Sequence, residues 1–93
     1  MTFEDIAEIG DAIRVYDFQP KAGRGDCYIE GAVVGKHRKV GRYDAIPFHC
    51  FEIKVTMDIW DGEPSPARVD KTVYVPYERT ITEWDGRITK IVA

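Results

Sequence analysis

From Phe51 to Ile59 the chain alternates without a break. Phe51, Ile53, Val55, Met57 and Ile59 are apolar, and Glu52, Lys54, Thr56 and Asp58 between them are polar. A period of two places one set on each face of an extended strand and does not fit a helical stripe. The spacing predicts a strand over 51–59 with the five odd-numbered side chains in the core, faced by Ile13, Val15, Val73 and Val75. Ala12 to Phe18, rich in β-branched and aromatic residues, predicts an earlier strand, closed off by Pro20, Gly23 and Gly25. Cys27 to Lys36 predicts another, and Gly31 and Gly35 inside it mark a bulge or sharp bend. Asp61 to Pro66 is a loop. Lys71 to Tyr77 reads as a strand with Pro76 near its end, as an edge strand tolerates. The Asp85-Gly86 turn leads to a last strand over Arg87 to Val92. Ahead of the strands, Thr2 is placed to cap a short helix with Asp5 three residues on; Phe3, Ile6 and Ala7 share one apolar face and Gly10 is a stop. These predict a helix over 3–9.

One short N-terminal helix followed by about five strands, with no helix between them, defines a mainly β domain. At this size a flat sheet would leave its apolar face wet, so bending at the glycines is expected to close it into a strongly bent five-stranded antiparallel barrel. The 93 residues amount to one domain, 1–93, with ordinary globular composition, 44% apolar and 31% charged. No apolar run approaches the roughly 20 residues that span a bilayer. The opening Met1-Thr2-Phe3-Glu4-Asp5 is acidic and lacks the apolar segment of a secretory signal, so a cytoplasmic location is expected. Cys27 and Cys50 form no close pair, which points to two free thiols in a reduced compartment.

The formal charge of −3 does not by itself favour nucleic acid, but the charge is unevenly spread. Acids dominate the first seventeen residues, whereas Lys36, His37, Arg38, Lys39 and Arg42 form a basic run containing no acid. With Tyr43 as a stacking face, Lys36, His37, Arg38, Lys39, Arg42 and Tyr43 are the candidate grip for a phosphate backbone, set against a solvated hairpin loop. Cys27, Cys50, His37 and His49 do not make a zinc pattern: only His49 and Cys50 are adjacent, and strand neighbours point to opposite faces. Arg24-Gly25-Asp26 reads as a turn whose glycine supplies positive φ. Trp60 and Trp84 lie near strand ends, as interface anchors or as core. No nucleophile elbow or phosphate loop is present, and Ser65 lies between two prolines, so no catalytic residue, metal or cofactor is expected.

The stretch Glu8-Ile9-Gly10-Asp11-Ala12-Ile13-Arg14-Val15-Tyr16-Asp17-Phe18 resembles the opening of SH3-like barrels, where a Gly-Asp turn precedes the first strand. With an acidic, apolar helix ahead of it, the chain resembles Sm-like (LSm) proteins. Gly25 to Gly31 and Val73-Tyr74-Val75-Pro76 are also similar to small proteins encoded by tailed phages of marine cyanobacteria, which implies the cytoplasm of a bacterial host. Gly31 or Gly35 stands for the glycine of the first Sm motif, and Trp84-Asp85-Gly86-Arg87 for the second, with Asp85 in the arginine position and no asparagine in the chain. The resemblance implies a non-enzymatic module that binds RNA or single-stranded nucleic acid as a cyclic homo-oligomer. It also implies pairing of the fourth strand of one copy with the fifth of the next, with Val73, Tyr74, Tyr77, Trp84, Ile88 and Ile91 as interface candidates. The alternative is a protein-interaction or structural accessory module, of phage origin, that does not touch nucleic acid.

Overall fold

The structure, a computed structural model, describes residues 4–40, 47–77, 84 and 86–91. Six antiparallel strands form one sheet: β1 (Ala12–Tyr16), β2 (Tyr28–Val40), β3 (Pro47–Trp60), β4 (Glu63–Pro64), β5 (Thr72–Pro76) and β6 (Ile88–Lys90). Their order is β4-β3-β2-β1-β6, with β5 also on the outer edge of β3. The long β2–β3 hairpin is the spine. β1 lies between β2 and β6, so the last strand returns to the first.

The β2–β3 ladder contains two unmatched residues. Glu30 faces Met57 but Gly31 faces Val55, leaving Thr56 unopposed; Val33 faces Ile53 but Gly35 faces Glu52, leaving Val34 unopposed. These are the bends that Gly31 and Gly35 signal in the sequence. A Cβ on Gly31 would run into the Lys54 carbonyl, so the closest backbone approach in the bend requires glycine there. Each extra residue also inverts the alternation beyond it.

That inversion decides the core. Phe51, Ile53 and Val55 are buried as expected, together with Ile13, Val15, Ile29, Val33, Val75, Tyr77 and Ile88; Val73 packs against them partly buried. Beyond Thr56 the strand turns its other face inward. Met57 is 43% exposed, Ile59 is half-buried and Asp58 is buried, which corrects the assignment of Met57 and Ile59 to the core.

The sheet is not closed into a barrel, contrary to expectation. β6 is three residues long and pairs with β1, while β5 pairs with β3; no ladder joins β5 to β6 among the described residues. The Arg87 guanidinium donates to the Pro76 carbonyl at 2.7 Å and links these two edges through a side chain instead. The N-terminal helix is likewise replaced by a single 3-10 turn, Glu4–Ile6. The Asp11 carboxylate accepts the Glu8 N–H at 2.9 Å and Gly10 N–H donates to the Val33 carbonyl at 2.8 Å. Those bonds commit the backbone near residue 8 to a tight turn into β1, competing with helical bonds. Ala7 still enters the core, with Ile6 against it.

The inverted alternation separates two apolar truncations that the simple pattern treats alike. Ile53→Ala should cost about 2–5 kcal/mol in urea unfolding, since it empties a packed site. Met57→Ala should change stability by no more than about 0.5 kcal/mol, as an exposed position does. Equal losses at both would contradict the bulge at Thr56.

Candidate functional site

Among the described residues Asp58 is the one charged side chain buried in the core, at 3% exposure. It sits opposite Ile29 because the Thr56 bulge turns it inward. A lone buried carboxylate is costly, and here it is met by Arg68 from the segment between β4 and β5. Arg68 Nε and Nη2 donate to Asp58 at 3.0 and 2.7 Å, and its backbone N–H donates at 3.1 Å. The far side of the same guanidinium donates to both oxygens of Asp17, just past β1, at 2.8 and 2.9 Å. One planar fork therefore holds two carboxylates, a geometry lysine cannot reproduce. Hydrogen bonding to Arg68 holds the Asp58 carboxyl below the usual carboxylate range despite its burial. Hydrogen bonds to Asp17 and then Asp58 raise the Arg68 guanidinium above its ordinary value, so it stays charged.

The clamp holds the bases of two adjacent loops. Gly62 N–H donates to the Asp26 carbonyl at 2.9 Å, Gly25 N–H to the Asp61 carboxylate at 2.8 Å, and Asp61 N–H to the Cys27 sulfur at 3.4 Å. A Cβ on Gly25 would strike the Asp61 backbone. In Arg24-Gly25-Asp26 the glycine thus serves close approach; the positive φ expected of it falls at Gly23, with φ of 82°.

Above the clamp stand Phe18, next to Asp17, and Trp60, two residues past Asp58. Both are large and half in solvent, 48% and 51% exposed, and they meet edge to face with centroids 5.9 Å apart. The Arg24 guanidinium covers the Phe18 ring at 5.2 Å and donates to the Gln19 carbonyl at 2.7 Å. A hollow of about 480 Å³ on the Phe18 side is lined by Phe18, Gln19, Pro20, Lys21 and Arg24. A second, of about 420 Å³ on the Trp60 side, is lined by Asp58, Trp60, Ser65, Ala67 and Arg68. The result is an aromatic ridge between two shallow cavities on a base fixed by ionic hydrogen bonds.

The basic run is divided differently. The unmatched Val34 turns Lys36 toward the inner side, where its ammonium lies 5.7 Å from the Phe51 ring centroid and 3.3 Å from Glu8. His37 goes to the outer side, 2.6 Å from Glu52 and edge-on to Tyr74 at 6.2 Å. Arg38 and Lys39 are described by their backbone pairing with His49 and Phe48, and Arg42 and Tyr43 lie outside the described residues. Of the interface candidates, Tyr77 and Ile88 are buried in the chain's own core and Val73 packs against it. Tyr77 stacks on His49 at 5.8 Å. Trp84 packs half-buried on Tyr16 at 5.3 Å, Ile91 is half-buried, and Tyr74 is exposed. Among the described residues no group of three His, Cys, Asp or Glu side chains gathers as a metal-holding cluster.

The sequence reading singled out Trp60 but not Phe18, Asp17, Asp58 or Arg68. The signal was slight: Gly31 marks a bend and Arg68 lies ten residues downstream of Asp58, but Asp58 falls in the same alternating polar register as Glu52, Lys54 and Thr56. Comparison with protein-family models, with curated proteins and with solved structures gives no match.

Replacing Arg68 with alanine leaves Asp58 buried without its partner and should cost about 3–5 kcal/mol in equilibrium unfolding. Because the Asp58 pKa is lowered on folding, its contribution is full above the unfolded value of about 3.9 and is lost as pH falls toward the folded value. Stability measured through the acid range below about pH 4 should therefore decline less steeply in Asp58→Asn than in the wild-type chain. Parallel declines would remove Asp58 from the acid response.

Proposed function

We infer that the chain is a non-enzymatic protein-interaction module that docks a partner segment on the Phe18–Trp60 ridge. The observation that carries this reading is the ridge itself. Two large aromatic side chains stand half-exposed in contact, and the residues that flank them, Asp17 and Asp58, are locked by one guanidinium. Aromatic and arginine anchors dominate binding energy at protein interfaces, and a fixed base reduces the ordering cost of association.

RNA or single-stranded nucleic acid on the 36–43 run draws less support. The two members whose side chains are described, Lys36 and His37, face opposite sides of the sheet and each sits beside a carboxylate, Glu8 and Glu52. A ring built through β5 and β6 would draw on Tyr74 and Trp84, since Tyr77 and Ile88 are taken by the core. A role in phage structure is compatible with a protein-docking module.

The test is a competition between ligand classes. Peptides selected from an unbiased display library on the wild-type chain should lose binding to a Phe18→Ala/Trp60→Ala variant whose unfolding midpoint stays close to wild type. Single-stranded RNA and DNA should bind weakly. Tight nucleic-acid binding with a steep salt dependence, abolished by neutralising Lys36, Arg38 and Arg42, would replace this reading with the phosphate-binding one.

A further inference from the structure

Several of the described cations are met by carboxylates of the same chain. Among the described residues Arg14 pairs with Glu30, Lys36 with Glu8, Arg68 with Asp17 and Asp58, and Lys90 with Asp11. Lys21 and Arg24 differ from these four. Neither has a carboxylate partner among the described residues, and both line the hollow beside Phe18, whose lining includes no acid. Lys54 and Lys71 also lack one among the described residues, but they line neither hollow.

Arg24 is held in place, since one nitrogen donates to the Gln19 carbonyl and its plane lies over Phe18. Its Nε is buried and has no hydrogen-bond partner. A guanidinium held in place with no carboxylate among the described residues can offer its terminal N–H donors to an incoming anion, although the buried Nε itself is out of reach. The acids nearest the ridge are already engaged, Asp17 and Asp58 by Arg68 and Asp61 by the Gly25 N–H.

Resting on the docking function inferred above, we propose that the hollow takes an extended peptide segment carrying Asp or Glu beside an apolar anchor. The anchor packs on the Phe18–Trp60 ridge, and the carboxylate is received by Arg24 and Lys21. An extended phosphate strand suits the surface less well. Asp26 and Asp61 lie on the two loops joined by the Gly62-to-Asp26 hydrogen bond and Glu63 opens β4 just after them, and the three repel a continuous line of negative charge more than one or two carboxylates.

The experiment uses three display libraries of amidated peptides sharing a Leu-Phe or Phe-Leu core, flanked by Asp/Glu, by Lys/Arg or by Ser/Thr. These are panned against the full chain, Lys21→Glu/Arg24→Glu and Phe18→Ala/Trp60→Ala, each shown by its unfolding midpoint to be folded. The wild-type chain should enrich the acidic-flank library. Charge reversal should weaken those peptides about tenfold and move the preference toward basic flanks. Equal enrichment of all three libraries, still lost in the aromatic variant, overturns the carboxylate preference and leaves the docking function standing. No library binding the wild-type chain better than the aromatic variant overturns both. Displacement of the acidic peptides by oligothymidylate at equal charge concentration assigns the hollow to phosphate and overturns the proposal.

Discussion

The two unmatched residues in the β2–β3 ladder, Val34 and Thr56, are what the rest of the molecule depends on. A thirteen-residue strand paired with a fourteen-residue one would present a long, flat apolar face that a chain of this size cannot cover. Bulges raise the local twist and bend the ladder, so that one side wraps the core while β1, β4 and β5 find room along it. Each bulge also reassigns faces. The one at Val34 turns a lysine toward the inner side of the hairpin and leaves its neighbour His37 outside. The one at Thr56 exposes Met57 and brings Asp58 in.

The buried acid then dictates the end of the molecule. Asp58 needs a cation with several donors, and Arg68 has enough left over to hold Asp17 as well. Three parts of the chain that share no strand pairing at these residues are thereby fixed to one group. The exposed aromatic pair inherits its position from that fixed group. An ionic interaction that is a poor source of stability by itself becomes useful as a locator.

Five of the six strands, their order along the chain and most of the core were legible because alternation over 51–55, the β-branched run at 12–16 and the interior glycines all point the same way; the two-residue β4, Glu63–Pro64, falls where 61–66 reads as a loop. The site was not legible, for a specific reason. Gly31 announces a bulge, but the extra residue lies on the opposite strand, at Thr56, and nothing in the pattern of residues 51–59 marks where its alternation stops mattering. Until that point is known, Met57 reads as core and Asp58 as solvent. The predicted helix failed differently: its apolar spacing is real, but the Asp11 carboxylate competes for the Glu8 N–H. The open edge between β5 and β6 depends on strand lengths that single-residue patterns do not fix.

The clamp also bears on the order of events in folding. Arg68 meets Asp17 across 51 positions of sequence, whereas its meeting with Asp58 spans ten. Closing the larger loop carries a greater entropy cost, and it is repaid only once β1 already lies against β2. The short-range half of the clamp can therefore assemble with the β3–β5 edge, while the Asp17 half belongs to the final consolidation. Bonds made after the rate-limiting step govern how long the native state lasts more than how fast it is reached. On this account Asp17 sets the lifetime of the folded ridge, and Asp58 contributes to the speed of its formation.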